Sequence, residues 1–353
     1  MKAALYSPYL DTLGGGEKYM MTIAEILSSE HEVDVLLDLH LKEIGAENLK
    51  KELSERFSLE LDKVNFISGP IGKGSNTFER LSFFKKYQVF FCLTDGSFFY
   101  PSAKKNILHI QSPLVGQAAN SLFGKIKLKG WDLIIYNSEF TKDKALKNWP
   151  LAFQVIYPPV DTKKITSMKK NKQILSVGRF ASIKKQDVLI NTFKELINDG
   201  KIKEWNFNLV GSAGEGDKAY LEGLKNLAKG SPINFYPNLS YEELLKLYGE
   251  SSIYWHAAGF GEDDPTKMEH FGISTVEAMA GGCVPVVIKK GGQIEIVEEG
   301  KSGFLWDSLD ELKDLTIKLI QDKTIWQALS KEAMIRAEQF SKEKFRQKIL
   351  NLL

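Results

Sequence analysis

Short apolar runs alternate along this chain with longer stretches whose apolar positions recur at helical spacing. Residues 2–6, 32–37, 64–67, 89–93, 107–110 and 133–136 are runs of strand length, rich in Val, Ile, Leu and Phe. Between the first two, Gly14-Gly15-Gly16-Glu17 opens a stretch in which Met20, Ile23, Ala24 and Leu27 keep helical spacing. After Pro158-Pro159, which neither a helix nor a central strand accommodates, the pattern restarts. Strands are predicted at 173–177, 207–210, near 234–238, to 256 and at 284–288, and a helix runs through Val188, Leu189, Thr192 and Phe193. Amphipathic helices are predicted over 309–320 and 324–353. Strand-helix alternation of this kind predicts an α/β fold, with parallel sheets covered by helices on both faces. Ligands then bind beyond the carboxyl ends of the strands.

One stretch concentrates candidate chemistry: Glu269-His270-Phe271-Gly272-Ile273-Ser274-Thr275-Val276-Glu277. It lies between two predicted strands, so it reads as a loop followed by a helix. Ser274-x-x-Glu277 has capping-box spacing, which predicts a helix starting near Ser274, with Glu277 in its first turn and Glu269 in the loop. The free N–H groups of that turn, with the helix dipole, make an anion site beside Gly272. Two carboxylates eight residues apart can take hydroxyls of a sugar or ribose. The plainer reading is a structural cap with a solvated loop glutamate. Arg179 and Lys184, just past another strand, can neutralise a diphosphate, or can be two ordinary surface cations. His109 near the end of a strand reads, taken alone, as a core histidine.

Composition narrows the classes. The chain has 353 residues, room for two domains, and 43% hydrophobic residues. A net charge of +2, with both signs mixed along the chain, speaks against a nucleic-acid partner. Cys92 and Cys283, the only two cysteines, suit a reducing compartment and neither a disulfide framework nor a zinc site. No apolar stretch approaches the roughly 20 residues that span a bilayer, and the N-terminal run is too short for a secretory signal. The expectation is a cytoplasmic chain. The basic segment 121–131, extended by Lys104-Lys105, reads either as a helix with a solvated lysine face or as a patch for peripheral contact with the cytoplasmic face of a membrane. Gly-x-Gly-x-x-Gly and Walker A patterns are missing. Glu262, Asp263 and Asp264 form no Asp-x-Asp, and no metal or other cofactor is expected.

The Glu-x7-Glu stretch resembles the motif of retaining glycosyltransferases with two Rossmann-like domains (GT-B), in the large family 4. Its wording, Glu-His-Phe-Gly-Ile-x-x-Val-Glu, is most similar to mannosyltransferases of the lipid-linked oligosaccharide type. Gly178-Arg179-x4-Lys184, Asn137-Ser138-x-x-Thr141, Tyr157-Pro158-Pro159-Val160-Asp161 and Gly291-Gly292 extend the likeness over nearly the whole chain. One departure is Lys185, where the family often has glycine, and it leaves open which lysine reaches the phosphate. The resemblance implies two domains facing across a cleft. The N-terminal one is 1–158, joined by a final helix over 338–353, and holds the acceptor. The C-terminal one, 159–337, holds a nucleotide-diphosphate sugar. It also implies roles: Glu269 on the sugar hydroxyls, Glu277 on the ribose, Arg179 and Lys184 on the diphosphate, His109 near the sugar and acceptor. Gly15, Gly16, Phe271, Gly272, Ile273 and Ser274 would line the donor site. The implied activity is transfer of a hexose from GDP-mannose or a UDP-hexose to a glycan or lipid-linked acceptor. Two alternatives stay open: an inactive sugar-nucleotide binding module, and a nucleotide-sugar epimerase on the same fold.

Overall fold

Seven parallel strands of the first half align in the order β3-β2-β1-β4-β5-β6-β7, and six of the second half in the order β10-β9-β8-β11-β12-β13. These are β1 Lys2–Tyr6, β2 Glu32–Leu37, β3 Val64–Ser68, β4 Val89–Leu93, β5 Lys105–Ile110, β6 Leu133–Tyr136, β7 Phe153–Val155, β8 Asn171–Val177, β9 Asn206–Gly211, β10 Ile233–Pro237, β11 Ser251–His256, β12 Val284–Ile288 and β13 Phe304–Trp306. The structure is a computed structural model that describes all residues except 73, 95, 115–121, 146–148 and 150, and the side chain of residue 123. The segment at 121 thus lies partly outside the described residues.

Both sheets are doubly wound, as the alternating pattern predicts. In each, the strand order reverses once, between β1 and β4 in the first and between β8 and β11 in the second. A ligand crevice forms at such a switch point. Burial explains the continuous apolar runs: Ala3 and Leu5 of β1 face one core with Val33, Val35 and Phe91, while Ala4 and Tyr6 face another with Phe90, Leu108 and Ile134. A strand covered on both faces carries little polar alternation. The second sheet builds its core on Ile174, Phe207, Ile253, Trp255 and Val286.

The chain divides into two compact units, Met1–Pro159 with Glu343–Leu353, and Val160–Lys342. Phe345, Ile349 and Leu352 of the returning segment pack into the first unit's core. The predicted continuous helix over 324–353 is not one helix. Lys323–Ala337 and Lys342–Leu350 are separated at Ser341, which is extended and bridges Val160. Periodicity survives the interruption because both pieces bury one face, and no Gly or Pro marks the break.

Candidate active site

In the second unit the chain leaves β8 at Val177 and stays beside β9: the Gly178 N–H donates to the Val210 carbonyl at 2.9 Å, and that of Phe180 to Ser212 at 2.9 Å. The Gln186 amide donates to the Arg179 carbonyl at 2.9 Å, which fixes the turn from behind. Lys184 closes a single helical turn, Ser182–Lys184, and Lys185 follows in the left-handed region, φ 55° and ψ 35°, before the helix Gln186–Asn198. Lys185 thus occupies a backbone conformation that favours glycine. Of the two lysines, Lys184 reaches the central motif: its Nζ lies 2.7 Å from Glu269 Oε2. Lys185 turns to Glu262, also at 2.7 Å. Arg179 is exposed and has no ion pair among the described residues.

Glu269 Oε2 has a second partner. His256, the last residue of β11 and 5% exposed, places Nε2 at 3.0 Å from it. Among the described residues Glu269 Oε1 has no hydrogen bond or ion pair. Burial alone would raise this carboxyl, but the Lys184 ammonium and the His256 hydrogen bond outweigh it and hold Glu269 well below its ordinary value. It is therefore an anion near neutral pH, with one oxygen clamped and one unclaimed.

The helix after the loop starts earlier than its sequence predicts. It spans Ile273–Ala280 with Gly272 as its N-cap. Ser274 is the second helical residue and caps nothing. Its hydroxyl meets Tyr254 Oη at 2.8 Å and donates to the Val177 carbonyl at 3.2 Å, tying the helix start to the ends of β11 and β8. Glu277 lies beyond the first turn, buried, and accepts from Tyr248 Oη at 3.0 Å. The Ser274-x-x-Glu277 spacing is thus coincidental with respect to capping. A side chain at Gly272 would be strained: φ is +121°, and a Cβ would lie 2.5 Å from Gln293 Nε2. The helix start leaves the N–H groups of Ile273 and Ser274 outside the helical ladder. Phe271 packs edge-on against Phe340 at 5.5 Å. The Gly291-Gly292 turn supports the loop from beneath, with the Gly292 N–H on the Glu269 carbonyl at 2.8 Å.

Glu262, Asp263 and Asp264 precede this loop. Glu262 pairs with Lys185 and, at 3.5 Å, with Lys267, and Asp264 accepts from the Thr266 backbone at 2.9 Å. No group of three or more His, Cys, Asp and Glu side chains is placed to share a cation among the described residues.

In the first unit, Gly14 caps the helix Gly15–Ser28 and Glu17 reaches back to the Gly14 N–H at 3.0 Å. Gly15 is exposed. Gly16 is buried against Gln111, whose Oε1 would lie 2.0 Å from a Cβ at that position. The glycine gives the Gln111 amide its place. His109 is 1% exposed, stacked on Tyr19 with centroids 3.9 Å apart, and Nδ1 donates to the Ile135 carbonyl at 3.2 Å. Burial lowers its pKa to about 3, against the opposing pull of that hydrogen bond. It is a neutral ring whose buried Nε2 has no hydrogen-bond partner among the described residues. His109, Gly15 and Gly16 belong to the first unit, and the other candidates assemble in the second.

The family model described as glycosyl transferases group 1 matches residues 159–338, just over half the chain. The chain belongs to the glycosyl transferases group 1 family. The matched segment carries the Arg179, Lys184, His256, Glu269 and Glu277 positions. A GDP-Man:Man(3)GlcNAc(2)-PP-Dol alpha-1,2-mannosyltransferase of Xenopus laevis is 29% identical over 244 residues, 61% of this chain and 48% of that protein. An uncharacterized glycosyltransferase of Methanocaldococcus jannaschii is 27% identical over 254 residues, 68% of this chain and 67% of that protein. The chain spans about half the length of the curated mannosyltransferases it matches. Anabaena HepE, solved with UDP and glucose, has the same fold with a TM-score of 0.72 at 18% identity, covering 100% of this chain and 99% of that one. A glycosyltransferase of Rickettsia africae has a TM-score of 0.74 at 17% identity, covering 99% and 97%. The group 1 fold class of two doubly wound units (GT-B) and an enzymatic role as a glycosyltransferase follow from these matches and the two sheets.

Two neighbours of the motif, His256 and Tyr248, are not among the candidates that the sequence singles out. His256 ends an apolar strand, and a histidine at the carboxyl end of a strand beside the switch point is the sign by which it could be found. Tyr248 sits in a helix, Tyr241–Glu250, whose periodicity says only that one face is buried.

Proposed function

We propose that this chain is a retaining glycosyltransferase that moves a hexose from a nucleotide-diphosphate sugar, GDP-mannose ahead of UDP-hexoses, to a glycan or lipid-linked acceptor. The observation that carries the reading is the convergence of Lys184 and His256 on one oxygen of Glu269, beside a helix N-terminus at the β8/β11 switch point. Breaking the bond from sugar to diphosphate puts negative charge on the leaving group. Lys184, Arg179, which has no ion pair among the described residues, and the N–H groups at Ile273 and Ser274 are donors of the kind that stabilise such charge. Glu269, ionised and with Oε1 unclaimed, suits hydroxyls of the sugar, and Glu277, backed by Tyr248, suits those of the ribose. The preference for GDP-mannose and a lipid-linked acceptor is supported by the names of the curated relatives. No described helix is long and apolar enough to cross a membrane. The helix Leu122–Leu128 exposes Leu122 and Ile126 beside Lys125 and Lys127, which supports peripheral contact with an anionic membrane surface.

A thermal-shift and turnover panel of GDP-, UDP- and ADP-sugars against NAD tests the reading. Stabilisation by a sugar nucleotide, with release of its nucleoside diphosphate on addition of acceptor, is expected. Stabilisation by NAD alone overturns it. We also propose that no metal is required, since lysines already occupy Glu262; turnover should persist in excess EDTA, and loss restored by Mn²⁺ would refute this.

A further inference from the structure

We propose that His256 is a positioning residue that keeps Glu269 aimed at the donor sugar when Lys184 turns to the diphosphate. The inference rests on the reading that Glu269 meets the sugar of a bound nucleotide sugar. Lys184 and His256 share Oε2 of Glu269, at 2.7 and 3.0 Å, but they are held very differently. Lys184 extends from a single helical turn and its side chain is 30% exposed, so its flexible stem can re-aim. A diphosphate, with more charge than one carboxylate, competes for that ammonium. His256 belongs to the central strand β11 and is 5% exposed. Its ring moves with the sheet. Its Nδ1 is buried without a hydrogen-bond partner, so Glu269 is its one polar contact among the described residues. A carboxylate oxygen accepts, so Nε2–H donates to Oε2. Once the lysine leaves, that bond alone fixes the carboxylate and keeps Oε1 directed outward.

The test separates sugar from nucleotide. Affinities for UDP, GDP, UDP-glucose and GDP-mannose are measured by calorimetry, and turnover by release of nucleoside diphosphate, for wild type, His256→Leu, His256→Gln and His256→Asn. His256→Leu should bind UDP and GDP within about twofold of wild type, and should lose about tenfold or more in turnover and in the extra affinity conferred by the sugar, the size of one hydrogen bond to a charged group. Glutamine carries its amide nitrogen where Nε2 lies and should restore part of the loss. Asparagine, whose nitrogen lies nearer Nδ1, should not; this pair carries the comparison if the leucine variant does not fold. Wild-type turnover in His256→Leu and His256→Asn overturns the proposal. So does a parallel fall of nucleotide affinity and melting temperature in all three variants, the mark of a merely structural histidine. A wild-type chain that binds no nucleotide sugar removes the functional reading itself. A working wild type beside unimpaired variants removes the role of His256 alone.

Discussion

Two adjacent lysines show how backbone conformation separates residues that composition treats alike. Lys184 faces Glu269, while Lys185 carries a positive φ and turns to Glu262. A left-handed conformation costs a side-chain-bearing residue about 1–2 kcal/mol. Glycine relieves that strain but loses about 0.5–1 kcal/mol more entropy on folding. Lys185→Gly should therefore leave stability within about 1 kcal/mol of wild type, even with the Glu262 pair lost, since a partly exposed ion pair contributes little. Lys184→Ala should fold as well but lose roughly 2–4 kcal/mol of transition-state stabilisation, as when one fixed donor to a developing charge is removed. Melting temperatures with kcat/KM for the two variants check this. Severe loss in Lys185→Gly beside a silent Lys184→Ala would exchange the two roles.

The helix Ile273–Ala280 makes the corresponding point for an element. Its cap is Gly272, not Ser274, and the two positions should answer differently to alanine. Gly272→Ala adds a Cβ at φ +121° and 2.5 Å from Gln293 Nε2, so the loop or Gln293 must shift. A loss above about 2 kcal/mol is expected, with donor binding lost alongside. Ser274→Ala removes only the bonds to Tyr254 and Val177, a cost of about 1 kcal/mol. Chemical denaturation of both variants decides, and the reverse ranking would restore Ser274 as the cap. This is also where legibility in the sequence ends. Strands β1, β2, β4, β6 and β12 begin and end where their apolar runs do, because parallel strands buried on both faces are such runs. Ser240-x-x-Glu243 also has capping-box spacing and does form the box at the start of Tyr241–Glu250, since a box of this kind is local chemistry. Ser274 and Glu277 have the same spacing, yet strand ends 20 and 97 residues away claim the serine. The pairing of Lys184 with Glu269 joins positions 85 residues apart. Each residue was visible in the sequence. Their convergence needs the β8-β11 adjacency, which periodicity alone does not supply.

Across the whole molecule the two units should respond to acid through different groups. In the second unit Glu269 is held below its ordinary carboxyl value of 4.5. The stability it contributes is complete above that value and is lost only as pH falls through its lower folded value. In the first unit His109 has its pKa lowered from 6.5 to about 3, chiefly by burial. Below pH 6.5 the unfolded chain therefore binds a proton that the folded chain refuses, and stability falls as pH falls, until about 3. One proton gives a slope of about 1.4 kcal/mol per pH unit, so about 2 kcal/mol should go between pH 6.5 and 5.0, before Glu269 contributes any change. His40, raised by its bond to Asp11, acts in the opposite sense over this range, and Glu17 is raised by burial. Both are common to wild type and His109→Phe, a variant that keeps an aromatic ring on Tyr19. The difference between the two proteins therefore isolates His109. Hydrogen exchange of peptides covering β5 and β6, measured at pH 6.5 and 5.0 and corrected for the intrinsic rate, should show protection falling by that amount in wild type relative to His109→Phe. Equal pH dependence in both proteins would mean that His109 is not a buried neutral ring, and would return it to the candidates for a proton-exchanging group.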